Sequence, residues 1–285
     1  MRMREIARAG TRAAPLLALS LSVAGCDAPP VDWQELARQP SAAIGTGDGA
    51  ASGAAEGAAA PRLTLDDAGR AALVAPLTVA SPPDSAGLRV CHGSVRVAAG
   101  KGGERAAAWW AARPDSSVVL LAALSTDGGA SWAPAVPVDT LDRGVRGCAR
   151  PAPAIAADSV NGWVHTVYFL EAPEGAGIFY AHRMDPRAPF EPPGVIVYGD
   201  RPAAAAVASL GDTLVVAYED PNRERPQVEL ALSRSGGHVF DERHLDVSGS
   251  DVAARDPSAA VGPGGHVAVA WDEGGRRVVR IGRLR

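Results

Sequence analysis

Histidine and cysteine are scarce in this chain, and neither is grouped. Its 285 residues contain 6 His and 3 Cys. No two His stand four apart, no C-x-x-C occurs, and no Cys/His pattern has the spacing of a metal site, which argues against a metal. There is no G-x-S-x-G and no P-loop, and the glycines from Gly262 to Gly265 read as a hairpin turn rather than a phosphate cradle. No cofactor is implied. The basic residues are scattered and the net charge is −4, so nucleic acid is not an expected partner. Beyond one N-terminal apolar run nothing is a candidate to cross a membrane, and almost no stretch reads as helix.

What is present begins with a targeting pattern. Arg2, Arg4, Arg8 and Arg12 precede an apolar run from Ala13 to Ala24 that is too short for a folded protein's spanning helix, so residues 1–25 read as a signal peptide. The run ends in Val23-Ala24-Gly25-Cys26, which resembles the bacterial lipobox. The alternative is an ordinary secretory signal with an incidental Cys. The resemblance implies a lipid on Cys26, the membrane as a partner, and an extracytoplasmic place in the bacterial cell envelope. Residues 26–60, rich in Ala, Gly, Pro and Ser, read as a flexible tether, leaving 61–285 for one folded domain. With Cys26 lipidated, Cys91 and Cys148 remain, an even number for an oxidising compartment. Gly87-Leu88-Arg89-Val90-Cys91 matches Gly144-Val145-Arg146-Gly147-Cys148, and equivalent positions of neighbouring repeats lie close. A disulfide is therefore expected, with two buried free thiols as the alternative.

The most specific motif is Ser125-Thr126-Asp127-Gly128-Gly129-Ala130-Ser131-Trp132, of the form S-x-D-x-G-x-x-W. Gly128 and Gly129 allow the positive φ of a tight hairpin, and Asp127 can accept hydrogen bonds from the turn's own amides. Ser125 ties the turn to its strand, and Trp132 anchors the return strand. The octapeptide resembles the Asp-box of sialidase-like (BNR) β-propellers. There it joins the two outer strands of a blade, on the face away from the active site.

The rest of the chain repeats. Small-residue strands open after a proline at Pro151, Pro202 and Pro257, and each is followed by a strand ending in an aromatic: Trp163 to Phe169, Leu214 to Tyr218, Val267 to Trp271. Such a period with four short strands per unit means propeller blades. The expected fold is all-β, a sialidase-like propeller of about four blades at roughly 85–140, 147–199, 200–248 and 254–285. Ser233 to Phe240 reads as an eroded Asp-box. The last unit ends after its third strand, and Leu77-Thr78-Val79, in a segment 75–81, is the expected supplier of its fourth. The alternative is an open fragment that needs a partner chain.

Strand direction places Arg89, Arg146, Arg150, Arg201 and Arg255 at one mouth of the central channel. The same side carries Glu171, Glu219-Asp220 and Asp272-Glu273, with Trp110 and Tyr218 nearby. Arg150, Arg201, Arg255, Trp110 and Tyr218 are the candidate ligand-binding residues, guanidinium groups clamping an anion and rings stacking on a sugar. The competing reading is a structural plug of Arg–carboxylate pairs. The resemblance implies a sialidase-type site with three Arg, a Tyr–Glu nucleophile pair and an Asp acid/base, for which Glu219 and Asp272 are the candidates. The F/Y-R-I-P motif is missing, however, and Tyr218 and Glu219, adjacent in a strand, point to opposite faces. The expected function is thus a membrane-tethered binding or scaffold module for a protein or glycan, more readily than an enzyme. The alternative is an exo-acting sialidase-type glycoside hydrolase.

Overall fold

The computed structural model describes residues 28–34, 61–79, 85, 87–249 and 251–285. The signal peptide, Cys26 and most of the tether lie outside the described residues. Among the described residues no helix is long and apolar enough to cross a membrane.

The first elements among the described residues are a short strand β1 (Val31–Trp33) and a hairpin of β2 (Arg62–Leu65) and β3 (Ala71–Val74). Blade 1 follows, with a short leading strand β4 (Arg89–Val90), then β5 (Arg96–Ala99), β6 (Arg105–Ala112), β7 (Val118–Ser125) and β8 (Val136–Asp139). Blade 2 consists of β9 (Ala154–Ala157), β10 (Val164–Ala172), β11 (Gly175–Arg183) and β12 (Gly194–Tyr198). Blade 3 is β13 (Ala205–Leu210), β14 (Thr213–Glu219), β15 (Val228–Ser233) and β16 (Glu242–Asp246). Blade 4 has β17 (Ala254–Gly262), β18 (His266–Glu273) and β19 (Arg276–Leu284). Every pairing is antiparallel, in the order first to fourth strand. The protein is an all-β propeller.

Period-2 alternation makes each middle strand two-faced, so one blade contributes to two cores. In β6, Trp110 faces blade 2 while its neighbour Trp109 faces the other way. Trp110 meets Tyr168 edge-to-face, with ring centroids 5.8 Å apart. Phe169, Tyr180 and Tyr218 join blade 2 to blade 3, and Leu230, Val269 and Trp271 join blade 3 to blade 4. Cys91 and Cys148 form the expected disulfide, with Cα atoms 5.3 Å apart, which links the approaches to the first two blades.

Closure differs from expectation in two respects. The missing strand of blade 4 is Val31–Trp33, which pairs with β19 in the register Val31↔Leu284 and Trp33↔Gly282. Part of the expected flexible tether is therefore a strand. A Cβ on Gly282 would stand 2.7 Å from Val31 Cγ1, so the absent side chain lets β1 lie flat. The expected supplier does something else: Leu77 and Val79 pack against the Trp109 face of blade 1. Only Ala75 and Pro76 separate the end of β3 from Leu77, so the chain passes to blade 1 without returning to the outer edge of blade 4. The second difference is the β2–β3 hairpin, which covers the free face of blade 4 through Leu63, Leu65 and Leu73. Its β2 runs alongside β17: Ser258 donates to Pro61 O at 3.2 Å near their starts, and Leu65 reaches Gly262 at their ends. Four full blades and a two-stranded fifth unit thus surround one axis.

Candidate functional site

Five inner strands, β2, β5, β9, β13 and β17, line a central channel of about 720 Å³. Their side chains are mostly Ala, Val, Ser and Pro, small enough for five strands to converge. Each inner strand exposes an unpaired edge to the channel, a position where proline costs no ladder bond. In the lining, Pro61, Pro151 and Pro202 precede such strands and Pro257 sits at the bulge of β17. The charged side chains of the lining are Arg62, Arg96, Glu219, Arg255 and Asp256.

Two of these are built into the junction of blades 3 and 4. The pairing of β17 with β18 shifts register between Arg255 and Ser258, and the bulged Asp256 has φ +51°. A non-glycine residue in this region is strained unless its surroundings fix it. Here Glu219 accepts the Asp256 N–H at 3.0 Å, and Arg277 donates to the Asp256 carbonyl at 2.6 Å. Glu219 also receives Arg201 at 3.3 Å. Burial raises the Glu219 carboxyl above the usual carboxylate range, against the opposing pull of Asp256 N–H and Arg201. The bulge delivers Arg255 to the channel wall, exposed and without an ion pair to a described residue.

The other expected residues are used elsewhere. Arg150 has a fully buried side chain. It donates to both oxygens of Asp142 at 3.1 and 3.0 Å and to Gly147 O, and stacks 5.3 Å from the Trp110 ring centroid. Trp110 is itself buried, its indole N–H donating to Pro151 O at 2.9 Å. Tyr218 is fully buried and donates to Glu229 at 2.9 Å, beside His244. Arg146 pairs with Glu171, and Asp272 with Arg277, each at 3.1 Å; Arg89 donates to Cys148 Sγ. Of Arg150, Arg201 and Arg255, only Arg255 is part of the channel lining. Arg255 reaches the channel, Arg201 is held by Glu219, and Arg150 locks the approach to blade 2.

Sequence reasoning missed Arg62, Arg96 and Asp256. Arg62 and Arg96 start inner strands as Arg255 nearly does, and Arg96 donates back to Gly93 O and Val95 O. The signal for β2 was present in Arg62-Leu63-Thr64-Leu65, polar and apolar by turns, followed by the turn residues Asp66 to Gly69.

The Ser125 turn has the geometry its residues demand. Ser125 Oγ accepts from Gly129 N at 2.8 Å, and Asp127 accepts from Ser131 N at 2.9 Å. The Ser131 hydroxyl and amide, with Ser125, hold the Asp127 carboxyl well below the usual range. The Ser233 turn repeats this with altered residues: Ser233 Oγ accepts from Gly237 N at 3.0 Å, and Ser235 Oγ from Val239 N at 2.9 Å. Both turns join third to fourth strands, on the face opposite the starts of the inner strands.

No protein-family model matches the sequence, and no curated protein matches it. Among solved structures, the chain is similar to a Hadza microbial sialidase at 15% identity and a TM-score of 0.45, over 67% of this chain and 46% of that one. It is also similar to a protein of unknown function from Dyadobacter fermentans at 16% and 0.49, over 71% and 68%. The third is the NanB sialidase from Streptococcus pneumoniae, at 13% and 0.45, over 74% and 33%. The chain spans less than half of each of the two sialidases. At these identities the likeness is one of fold.

Proposed function

We propose that the propeller is a binding module that takes an anionic ligand, a carboxylate-bearing glycan foremost, at the Arg-lined end of its central channel. One observation carries this reading: Arg62, Arg96 and Arg255, from three different units, line a single channel that also holds the carboxyl groups of Glu219 and Asp256 and whose remaining walls are small and largely apolar. Guanidinium groups pair with carboxylates through parallel N–H donors, and apolar walls suit the faces of a sugar ring. The Cys91–Cys148 disulfide supports an oxidising compartment. Tethering by a lipid on Cys26, in the cell envelope, completes the proposal and is tested by incorporation of labelled fatty acid, lost in Cys26→Ser.

The test of binding is calorimetric titration with uronic and sialic acids and their neutral counterparts. The acids bind, the neutral sugars bind at least tenfold more weakly, and Arg255→Ala lowers affinity for the acids about tenfold. Equal affinity for acid and neutral sugars overturns the reading.

A second reading rests on Glu219, a buried channel carboxyl whose pKa burial raises, the property a general acid needs. It requires turnover of an aryl glycoside that Glu219→Gln abolishes. No release across such a panel leaves binding alone.

A further inference from the structure

On the face opposite the Arg-lined end, the connections between third and fourth strands of blades 2 and 3 meet. His182 stands near the end of β11, Glu191 in the connection from β11 to β12, and His238 in the Ser233 turn between β15 and β16. We propose that these three residues form a binding site for a divalent transition-metal ion, zinc above all, that clasps blade 2 to blade 3. The donor atoms lie within 4.8 Å of one another, the one place among the described residues where three such groups converge.

Three observations point to a ligand rather than to packing. First, His182 has a side chain only 6% exposed, and its Nε2 has no hydrogen-bond partner. A buried ring nitrogen left without one requires an explanation. Second, that Nε2 stands 3.5 Å from Glu191 Oε2. With metal–ligand bonds near 2.1 Å, two ligands of a tetrahedral zinc stand about 3.4 Å apart. Third, His238 Nδ1 donates to Ser235 O at 2.8 Å, which leaves Nε2 with the free lone pair. A backbone carbonyl that accepts from the other ring nitrogen and so fixes the tautomer is the usual support of a metal-bound His.

The turn is shaped to present His238. Cβ atoms on Gly236 and Gly237 would stand 2.3 Å from Trp163 and 1.8 Å from Tyr180, so only two glycines let the turn lie so close to blade 2. The His238 ring then sits 4.9 Å from the His182 ring, and Glu191 is held by its N–H donating to His182 O at 2.8 Å. His238 is exposed, whereas His182 is buried. Two imidazoles and one carboxylate with room for water match the donor set of zinc, and disfavour calcium or magnesium.

The experiment is calorimetric titration of the chelator-stripped protein with zinc chloride, alongside thermal unfolding with and without zinc. One equivalent binds and the unfolding midpoint rises, since the ion joins two blades of the folded state alone. His238→Ala and Glu191→Gln, both at accessible positions, each weaken zinc at least tenfold and abolish the thermal shift. His92→Ala, at an exposed His remote from the cluster, binds as the wild type does. Failure to bind zinc, unchanged affinity in His238→Ala, or an equal loss in His92→Ala overturns the proposal. None of these outcomes depends on the channel ligand.

Discussion

Glu219 accepts the backbone N–H of Asp256 at 3.0 Å, and so holds a left-handed residue in the wall of the central channel. The contact crosses from blade 3 to blade 4. Removing it in Glu219→Ala leaves the Asp256 N–H without its acceptor and Arg201 with the Asp220 carbonyl alone, at an expected cost of about 1–3 kcal/mol in urea unfolding. Asp256→Gly removes the φ penalty instead. Its stability stays level or rises by up to about 1 kcal/mol, while its effect on ligand affinity reads the side chain alone. A loss of stability in Asp256→Gly contradicts the strain assigned to the bulge.

Arg150 and Arg255 separate structure from surface. Arg150→Ala strands Asp142 in a fully buried site, and such half-removed pairs cost about 3–5 kcal/mol. Arg255→Ala changes an exposed side chain and stays within about 0.5 kcal/mol of the wild type. Urea midpoints of the two variants, measured side by side, check the difference. Comparable midpoints would move Arg255 into the structural ring.

Gly129 and Gly237 occupy the same place in the two Ser-anchored turns, with φ of +96° and +93°. An alanine Cβ at Gly129 meets nothing closer than Trp132 at 3.7 Å, whereas at Gly237 it lies 1.8 Å from the Tyr180 hydroxyl. Gly129→Ala should therefore cost only the backbone term, about 1–2 kcal/mol. Gly237→Ala should cost at least 1 kcal/mol more, from the overpacking added to it. Equal losses would mean that the turn of blade 3 does not rest on Tyr180.

His165 gives the protein a pH dependence. Its ring is fully buried, with Nδ1 2.8 Å from the Tyr180 hydroxyl and no partner for Nε2. Burial, with His182 and His238 adding to it, pushes its pKa down to about 3. Between roughly pH 6.5, the value in the unfolded chain, and the folded value, the unfolded chain binds a proton that the folded one does not. This stability is complete above that upper limit and falls on acidification, by up to about 1.4 kcal/mol per pH unit. His165→Gln flattens the slope. Urea unfolding at several pH values between these limits, in the presence of a chelator, measures it, and Glu219 cancels because it is common to both proteins. An unchanged slope assigns the acid sensitivity to other groups.

The blades were legible because their signals are local. Proline before a run of Ala, an aromatic closing the next strand, and S-x-D-x-G-x-x-W between outer strands each constrain residues within one unit. The disulfide was legible because equivalent positions of successive units lie together, as Cys91 and Cys148 do. Closure was not, since nothing local distinguishes Val31–Trp33 from Leu77–Val79. The choice is made by where the β2–β3 hairpin leaves the chain. The cluster at His182 was hidden for the same reason: its residues lie in different units, and spacing rules for metals see only neighbours in sequence. The pairing of Arg150 with Asp142 is likewise a property of packing, whereas its position before an inner strand was all that sequence reading could rank.

The last prediction concerns that closure. Val31 is 2% exposed in the core between blades 3 and 4, Gln34 N donates to Ile281 O, and Arg285 pairs with Asp32. Antiparallel neighbours place Asp32 opposite Arg283, within the Cα separation a disulfide spans. Replacing both in Asp32→Cys with Arg283→Cys should yield an intramolecular crosslink on mild oxidation, seen by mass spectrometry, and the crosslinked protein should unfold later. Val31→Asp should act in the opposite direction, burying a lone carboxylate at a cost of about 3–5 kcal/mol. It also detaches β1, which bares the edge of β19 and should make the protein associate with rising concentration in sedimentation. No crosslink, together with a monomeric Val31→Asp of unchanged stability, would mean that the ring is closed by some other strand.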